Sequence, residues 1–168
     1  MINDSKILDT WTFTSNEWNN FVAIEKGNKK EDNIYFGIGI LIICIPGLML
    51  FRGTSFLIAL IFSIPFALLL PLLRIKFSSS HLKNNSKGAI IKIYPEYLLI
   101  NNKKIDLFGK RKWIMDMKII TTPSNLKLLE FTIEWFTHKG NTNDETRIPI
   151  PKDKEQKALE LINFYRNR

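Results

Sequence analysis

A single cysteine, Cys44, excludes an intrachain disulfide and any thiolate metal cluster. Histidine is almost as scarce. His81 and His138 stand apart, with no HxxxH or HxH spacing and no cysteine nearby, so neither is expected to ligate a metal. The acids are scattered among basic residues, and no nucleophile has a base beside it. The glycines of GIGI, Gly37 and Gly39, lie in an apolar run with no strand before it, which is the wrong setting for a phosphate cradle. Catalytic, cofactor-binding and metal-binding residues are therefore expected to be absent, and the chain is not expected to be an enzyme or to take a small-molecule substrate.

The most informative shortage is of charge. From Ile34 to Leu73, 40 residues, Arg52 is the only charged side chain. A single helix through that run would be roughly 60 Å long at about 1.5 Å per residue, twice the hydrocarbon thickness of about 30 Å. Split at Arg52-Gly53-Thr54-Ser55, it becomes Ile34 to Phe51 and Phe56 to Leu73, 18 residues each, close to the minimum for a spanning helix. Gly53 can end the first helix in a left-handed conformation, Arg52 complements its C-terminal dipole, and Thr54 or Ser55 can cap the second. The expectation is a transmembrane helical hairpin over 34–73. Lys26, Lys29 and Lys30 before it and Arg74, Lys76, Lys83 and Lys87 after it outnumber the lone Arg52 of the turn, which predicts both termini on the cytoplasmic side of an inner membrane. The first 33 residues are polar and carry no signal-peptide core.

Small residues recur every fourth position along the second span, at Ala59, Ser63 and Ala67, and let another helix come close. The expected neighbour is the first helix of the same hairpin, with a partner subunit or homodimer as the alternative. No ionisable residue stands at membrane depth to suggest transport.

Residues 1–33 read as a strand in LDTWTF followed by an amphipathic helix. Thr14 and Glu17 have capping-box spacing, and Trp18, Phe21 and Val22 form the apolar face, destined either for a core or for the lipid interface. Residues 74–88 read as a basic linker. From Ala89 the period changes to two: AIIKIY, YLLI and KIDLF are short strands, with Asn101-Asn102 suited to a tight hairpin. Trp113 to Met115 and Lys118 to Thr122 continue the meander, with Asp116-Met117 as a kink or turn. In the long strand over 126–137, Leu129, Phe131, Ile133 and Trp135 face a core, while Glu130, Thr132 and Glu134 face water. HKGNTND reads as a loop before the strand ETRIPI. A closing helix runs from about Asp153, which can cap it with Gln156 in the box, through the stripe Ala158, Leu161, Ile162 and Tyr165. The fold class is thus an α+β membrane protein, a transmembrane hairpin followed by a small antiparallel β domain over 89–168 closed by a C-terminal helix, the order of elements in a pleckstrin-homology-like (PH-like) domain.

TWTFTSNEW with Trp11 to Trp18, KWIMDMKII over Lys112 to Ile120, and IPIPK over Ile148 to Lys152, set in this layout, resemble the YcxB-like bacterial membrane proteins. Ile114 and Met115 lengthen the step between Trp113 and Asp116 relative to that family. The resemblance implies a cytoplasmic PH-like domain anchored by the hairpin, without an assigned reaction, and carries over no functional residue.

Residues 74–168 hold 19 Lys and Arg against 10 acids. Gly109-Lys110-Arg111-Lys112 puts three cations on one turn, able to meet an anionic headgroup, an acidic leaflet or a protein partner; Arg74 and Lys76 lie where the chain leaves the membrane. Nucleic-acid binding is not expected, because Trp113, Phe131 and Trp135 suit a core better than a stacking platform. Membrane lipids together with a protein partner or a second copy are the expected partners of a binding module. The alternative is a membrane immunity or defence protein that neutralises a toxin by direct binding.

Overall fold

The computed structural model describes residues 6–78, 82–84, 86–138 and 140–168. It is an α+β chain with two long apolar helices, two small antiparallel sheets and a C-terminal helix. The chain divides into two units: Met1–Phe21 with Asn85–Arg168, and Val22–Asn84.

In the first unit β1 (Asp9–Phe13), β2 (Ala89–Ile93), β3 (Tyr97–Ile100) and β4 (Lys103–Asp106) form one sheet in that order. β5 (Lys112–Thr121), β6 (Lys127–Thr137) and β7 (Gly140–Pro149) form the other. The β domain therefore takes in more than residues 89–168. Its first strand precedes the apolar helices and pairs antiparallel with β2, Phe13 opposite Ala89 and Asp9 opposite Ile93. Trp11 on β1 is wholly buried and donates its indole N–H to Asp9 Oδ2 at 2.8 Å.

Local chemistry explains the turns. Asn101 and Asn102 both have positive φ, 47° and 67°, the backbone a two-residue primed hairpin requires and Asn tolerates, and Asn101 Oδ1 also accepts from Ile90 N at 3.1 Å. Met115 is the extra residue of a β-bulge between Ile114 and Asp116, so the expected break at Asp116-Met117 is instead a bulge within one continuous β5. The loop expected before ETRIPI is mostly strand, since β7 begins at Gly140.

α3 (Glu155–Arg166) packs its stripe of Ala158, Leu161, Ile162 and Tyr165, all buried, against the domain core with Phe131. Lys154 occupies the N-cap and no side chain bonds there, so the capping box expected of Asp153 and Gln156 does not form. Backbone bonds do the work instead: Lys154 N donates to Pro151 O and Ala158 N to Lys154 O, each at 2.9 Å. At the other end Tyr165 donates its hydroxyl to Tyr94 O at 2.5 Å. Burial pushes the ionisation of that phenol well above the usual tyrosine range. Tyr165→Phe is expected to keep the packing and lose about 1 kcal/mol, measured by urea unfolding of the full chain in micelles, because only the hydrogen bond is removed.

α1 (Ser15–Arg52) is one helix, which merges the expected amphipathic helix and first span without a break near residue 33. The Thr14–Glu17 capping box starts it: Glu17 N donates to Thr14 Oγ1 at 3.3 Å and Thr14 N to Glu17 Oε2 at 3.0 Å. These contacts, led by the Thr14 backbone N–H, lower the Glu17 pKa. Trp18 and Phe21 are buried, 5.2 Å apart, with Phe13 beside Trp18, so they belong to a core. α2 (Phe56–Ser78) runs past Leu73, so Arg74 and Lys76 lie on its last turns and not in a linker. Gly53 has φ 61° and donates to Met49 O at 3.1 Å, which ends α1; Ser55 O accepts from Ala59 N at 2.9 Å and begins α2. Both helices are long and apolar enough to cross a membrane.

Candidate functional site

In the first unit the β4–β5 connection closes at Gly109 and Lys112, whose backbones exchange two hydrogen bonds, Gly109 N to Lys112 O at 2.8 Å and Lys112 N to Gly109 O at 3.3 Å. Lys110 and Arg111 therefore occupy the exposed tip, and Lys112 opens β5 beside them. Among the described residues these three make no ion pair. Arg111 O accepts from Phe136 N at 3.0 Å, which extends the β5–β6 ladder into the turn and ties its position to the sheet.

Next to the cations lies an apolar surface. Phe136, 55 % exposed, stands 5.1 Å from Trp113, and the bulge throws Met115 outward to 61 % exposure. Trp113 and Trp135 are only half-buried, so of the three aromatics expected to fill a core Phe131 alone is wholly inside. Three cations on a turn thus stand beside a partly exposed wedge of Trp, Phe and Met.

Arg74 and Lys76 belong to the second unit. The Arg74 guanidinium lies 5.2 Å over the Phe36 ring, which links α2 to α1, and Lys76 is exposed. In the same unit Ala59, Ser63 and Ala67 are all buried, and Ser63 returns its hydroxyl to Ala59 O at 2.8 Å. Ala67 meets α1 of the same hairpin: a Cβ on Gly37 would come within 2.8 Å of Ala67 O. Gly37 is thus the reason the two helices can approach there.

Three buried polar positions were not expected from the sequence: Glu25, 5 % exposed on α1, Glu130 and Asn33. Glu130 was expected to face water, yet it is 2 % exposed. Arg147 across the ladder donates to its Oε2 at 2.7 Å, and Lys118 on the other neighbouring strand reaches Oε1 at 3.0 Å. Burial works against the charge, but the bonds from Arg147 and Lys118 outweigh it and hold the carboxyl below its usual range. Alternation along β6 carried no signal of this, because Lys118 and Arg147 come to stand opposite Glu130 only through the register of the ladder. Asn33, 6 % exposed, stands one residue before the apolar run and one turn before Gly37 on the same helix face.

Between β5 and α3 a groove of about 330 Å³ is lined by Phe108, Trp113, Met117, Ile162 and Tyr165 together with Asp116 and Arg166. No cluster of His, Cys, Asp and Glu among the described residues can hold a metal; His138 is exposed, and His81 lies outside the described residues. Comparison with family models, with curated proteins and with solved structures gives no match to this chain.

Proposed function

We propose that the chain is an integral protein of a bacterial cytoplasmic membrane, anchored by α1 and α2, whose PH-like domain recognises anionic lipid through Lys110, Arg111 and Lys112. The observation that carries the reading is the pairing of β1 with β2 around the apolar helices. Two crossings return the chain to the side it left, as the ladder between Phe13 and Ala89 requires; one crossing would put a bilayer between hydrogen-bonded neighbours. The excess of Lys26, Lys29, Lys30, Arg74 and Lys76 over Arg52 supports a cytoplasmic location for both termini. The strand orders β1-β2-β3-β4 and β5-β6-β7 with a closing helix support the PH-like assignment, and this layout supports kinship with the YcxB-like proteins.

The anionic-lipid reading is tested on the full chain, because a fragment starting near Gly88 would lack β1 and Trp11. Resistance of the chain to carbonate extraction checks the anchor. For the turn, a Cys44→Ser chain carrying a polarity-sensitive fluorophore at His138→Cys is placed in nanodiscs of graded anionic content. The emission is expected to shift blue as anionic lipid rises, less so at high salt, and to lose that response when Lys110, Arg111 and Lys112 are changed to Ala, each cation contributing about 1 kcal/mol. An emission indifferent to lipid charge would refute lipid recognition here and direct the search to a protein partner by crosslinking in the native membrane.

A further inference from the structure

We infer that the cleft between α1 and α2 beside Asn33 is a selective phospholipid site, for lipids whose headgroup carries an N–H or O–H donor next to the phosphate. The inference rests on the membrane reading above and adds a ligand class to it. The cleft, about 370 Å³, is walled by Ile34, Ile38 and Leu41 of α1 and by Leu68, Leu72 and Ile75 of α2. Among the described residues that line it, the polar side chains are Asn33 and Lys30, at one end. From Lys30 to Leu41 the helix rises about 16 Å, close to the hydrocarbon depth of one leaflet. The apolar walls accept an acyl chain, and the polar end falls where a headgroup would begin.

The chemistry of that end selects the headgroup. Asn33 Nδ2 donates to Lys29 O at 2.6 Å, which fixes the amide orientation and leaves Oδ1 as the free acceptor. Oδ1 is buried and accepts from no protein group. A buried acceptor left unpaired is destabilising, so this oxygen calls for a donor from outside the protein. Lys30, one turn earlier on the same face, makes no ion pair among the described residues and can reach a phosphate. An ethanolamine ammonium or a glycerol hydroxyl supplies the donor that Oδ1 lacks. A choline headgroup, with every N–H replaced by methyl, supplies none.

The test is native mass spectrometry of the delipidated full chain, titrated with phosphatidylethanolamine, phosphatidylglycerol and phosphatidylcholine of identical acyl chains. The first two are expected to bind about tenfold more tightly than the third; their ratio to each other tells whether ammonium or hydroxyl is preferred. Asn33→Leu should bring all three to the phosphatidylcholine level. Leu68→Trp, which fills the cleft from α2 and leaves Asn33 intact, should weaken all three. Equal binding of ethanolamine and choline lipids by the unmodified chain overturns the inference, as does a preference that survives Asn33→Leu or wild-type binding by Leu68→Trp; a water on Oδ1 would give the first of these results. Carbonate extraction reports on the anchor independently, so a chain that stays in the membrane without discriminating headgroups fails this inference alone.

Discussion

Replacing Gly88 with Ala is expected to destabilise the β domain by about 3 kcal/mol. Two costs add. Gly88 has φ 82°, where an L-residue pays roughly 1–2 kcal/mol. A Cβ there would also sit 2.1 Å from Phe13 O and 3.3 Å from the carbonyl carbons of Phe13 and Thr14. These are backbone atoms of β1 and of Thr14, the residue between β1 and α1, so no side chain can swing aside, and the overlap is relieved only by moving a strand, which costs about 1–3 kcal/mol more. Gly53→Ala is the internal comparison. Its φ is 61°, but nothing lies within 4 Å of the added carbon, so only the conformational cost remains. Urea unfolding of the full chain in micelles, followed by near-ultraviolet circular dichroism, should separate the two variants. Equal losses would mean that β1 does not lie against Gly88.

Arg147→Met is expected to cost about 3–5 kcal/mol, because it leaves the buried Glu130 carboxylate with only the half-exposed Lys118. Restoring consistency should restore stability: Glu130→Leu combined with Arg147→Met removes the charge and its partner together, and the double variant is expected to recover most of the loss. A double variant as unstable as the single one would show that Arg147 acts through something other than Glu130. The same network sets a response to acid. The folded pKa of Glu130 lies below its unfolded value of about 4.3. Asp9 behaves alike: burial raises its pKa, but Trp11, the Thr10 amide and Lys154 together lower it. Groups depressed on folding contribute stability above their unfolded pKa and lose it as pH falls through the folded one. The domain should therefore be insensitive to pH near neutrality and weaken below about pH 4. In Glu130→Leu/Arg147→Met that acid slope should be shallower.

Much of the local structure was legible because its causes are local. Gly53 and the Thr14–Glu17 box marked helix ends, Asn101-Asn102 marked a hairpin, and the stripe from Ala158 to Tyr165 marked the buried face of α3. The errors came where distant chain decides. Alternation put Glu130 on a wet face, and it does point away from Leu129 and Phe131, but Arg147 and Lys118 cover it, and those strands are fixed only by the ladder. Asp153 had a favourable capping spacing, yet the backbone turn from Pro151 placed Lys154 at the helix start. The pairing of β1 with β2 left no trace in composition or period. The candidate site divided similarly: the cations of the turn could be read from the chain, whereas the exposure of Met115 and Phe136 follows from a bulge and a register.

The separation of β1 from β2 also sets a timetable for synthesis. Ala89 follows Phe13 by 76 residues, so at about 5–20 residues per second Trp11 and Phe13 wait some 4–15 s for their partner strand. In the anchored protein proposed above, the apolar helices emerge during that wait and must already have been delivered to the bilayer. A nascent chain whose hairpin inserted only once would leave β1 stranded across the membrane, and Ile91 and Ile93 would lack the strand that flanks them. In that proposed protein the sheet would close only when both helices have crossed, because only then do β1 and β2 lie on the same side of the bilayer.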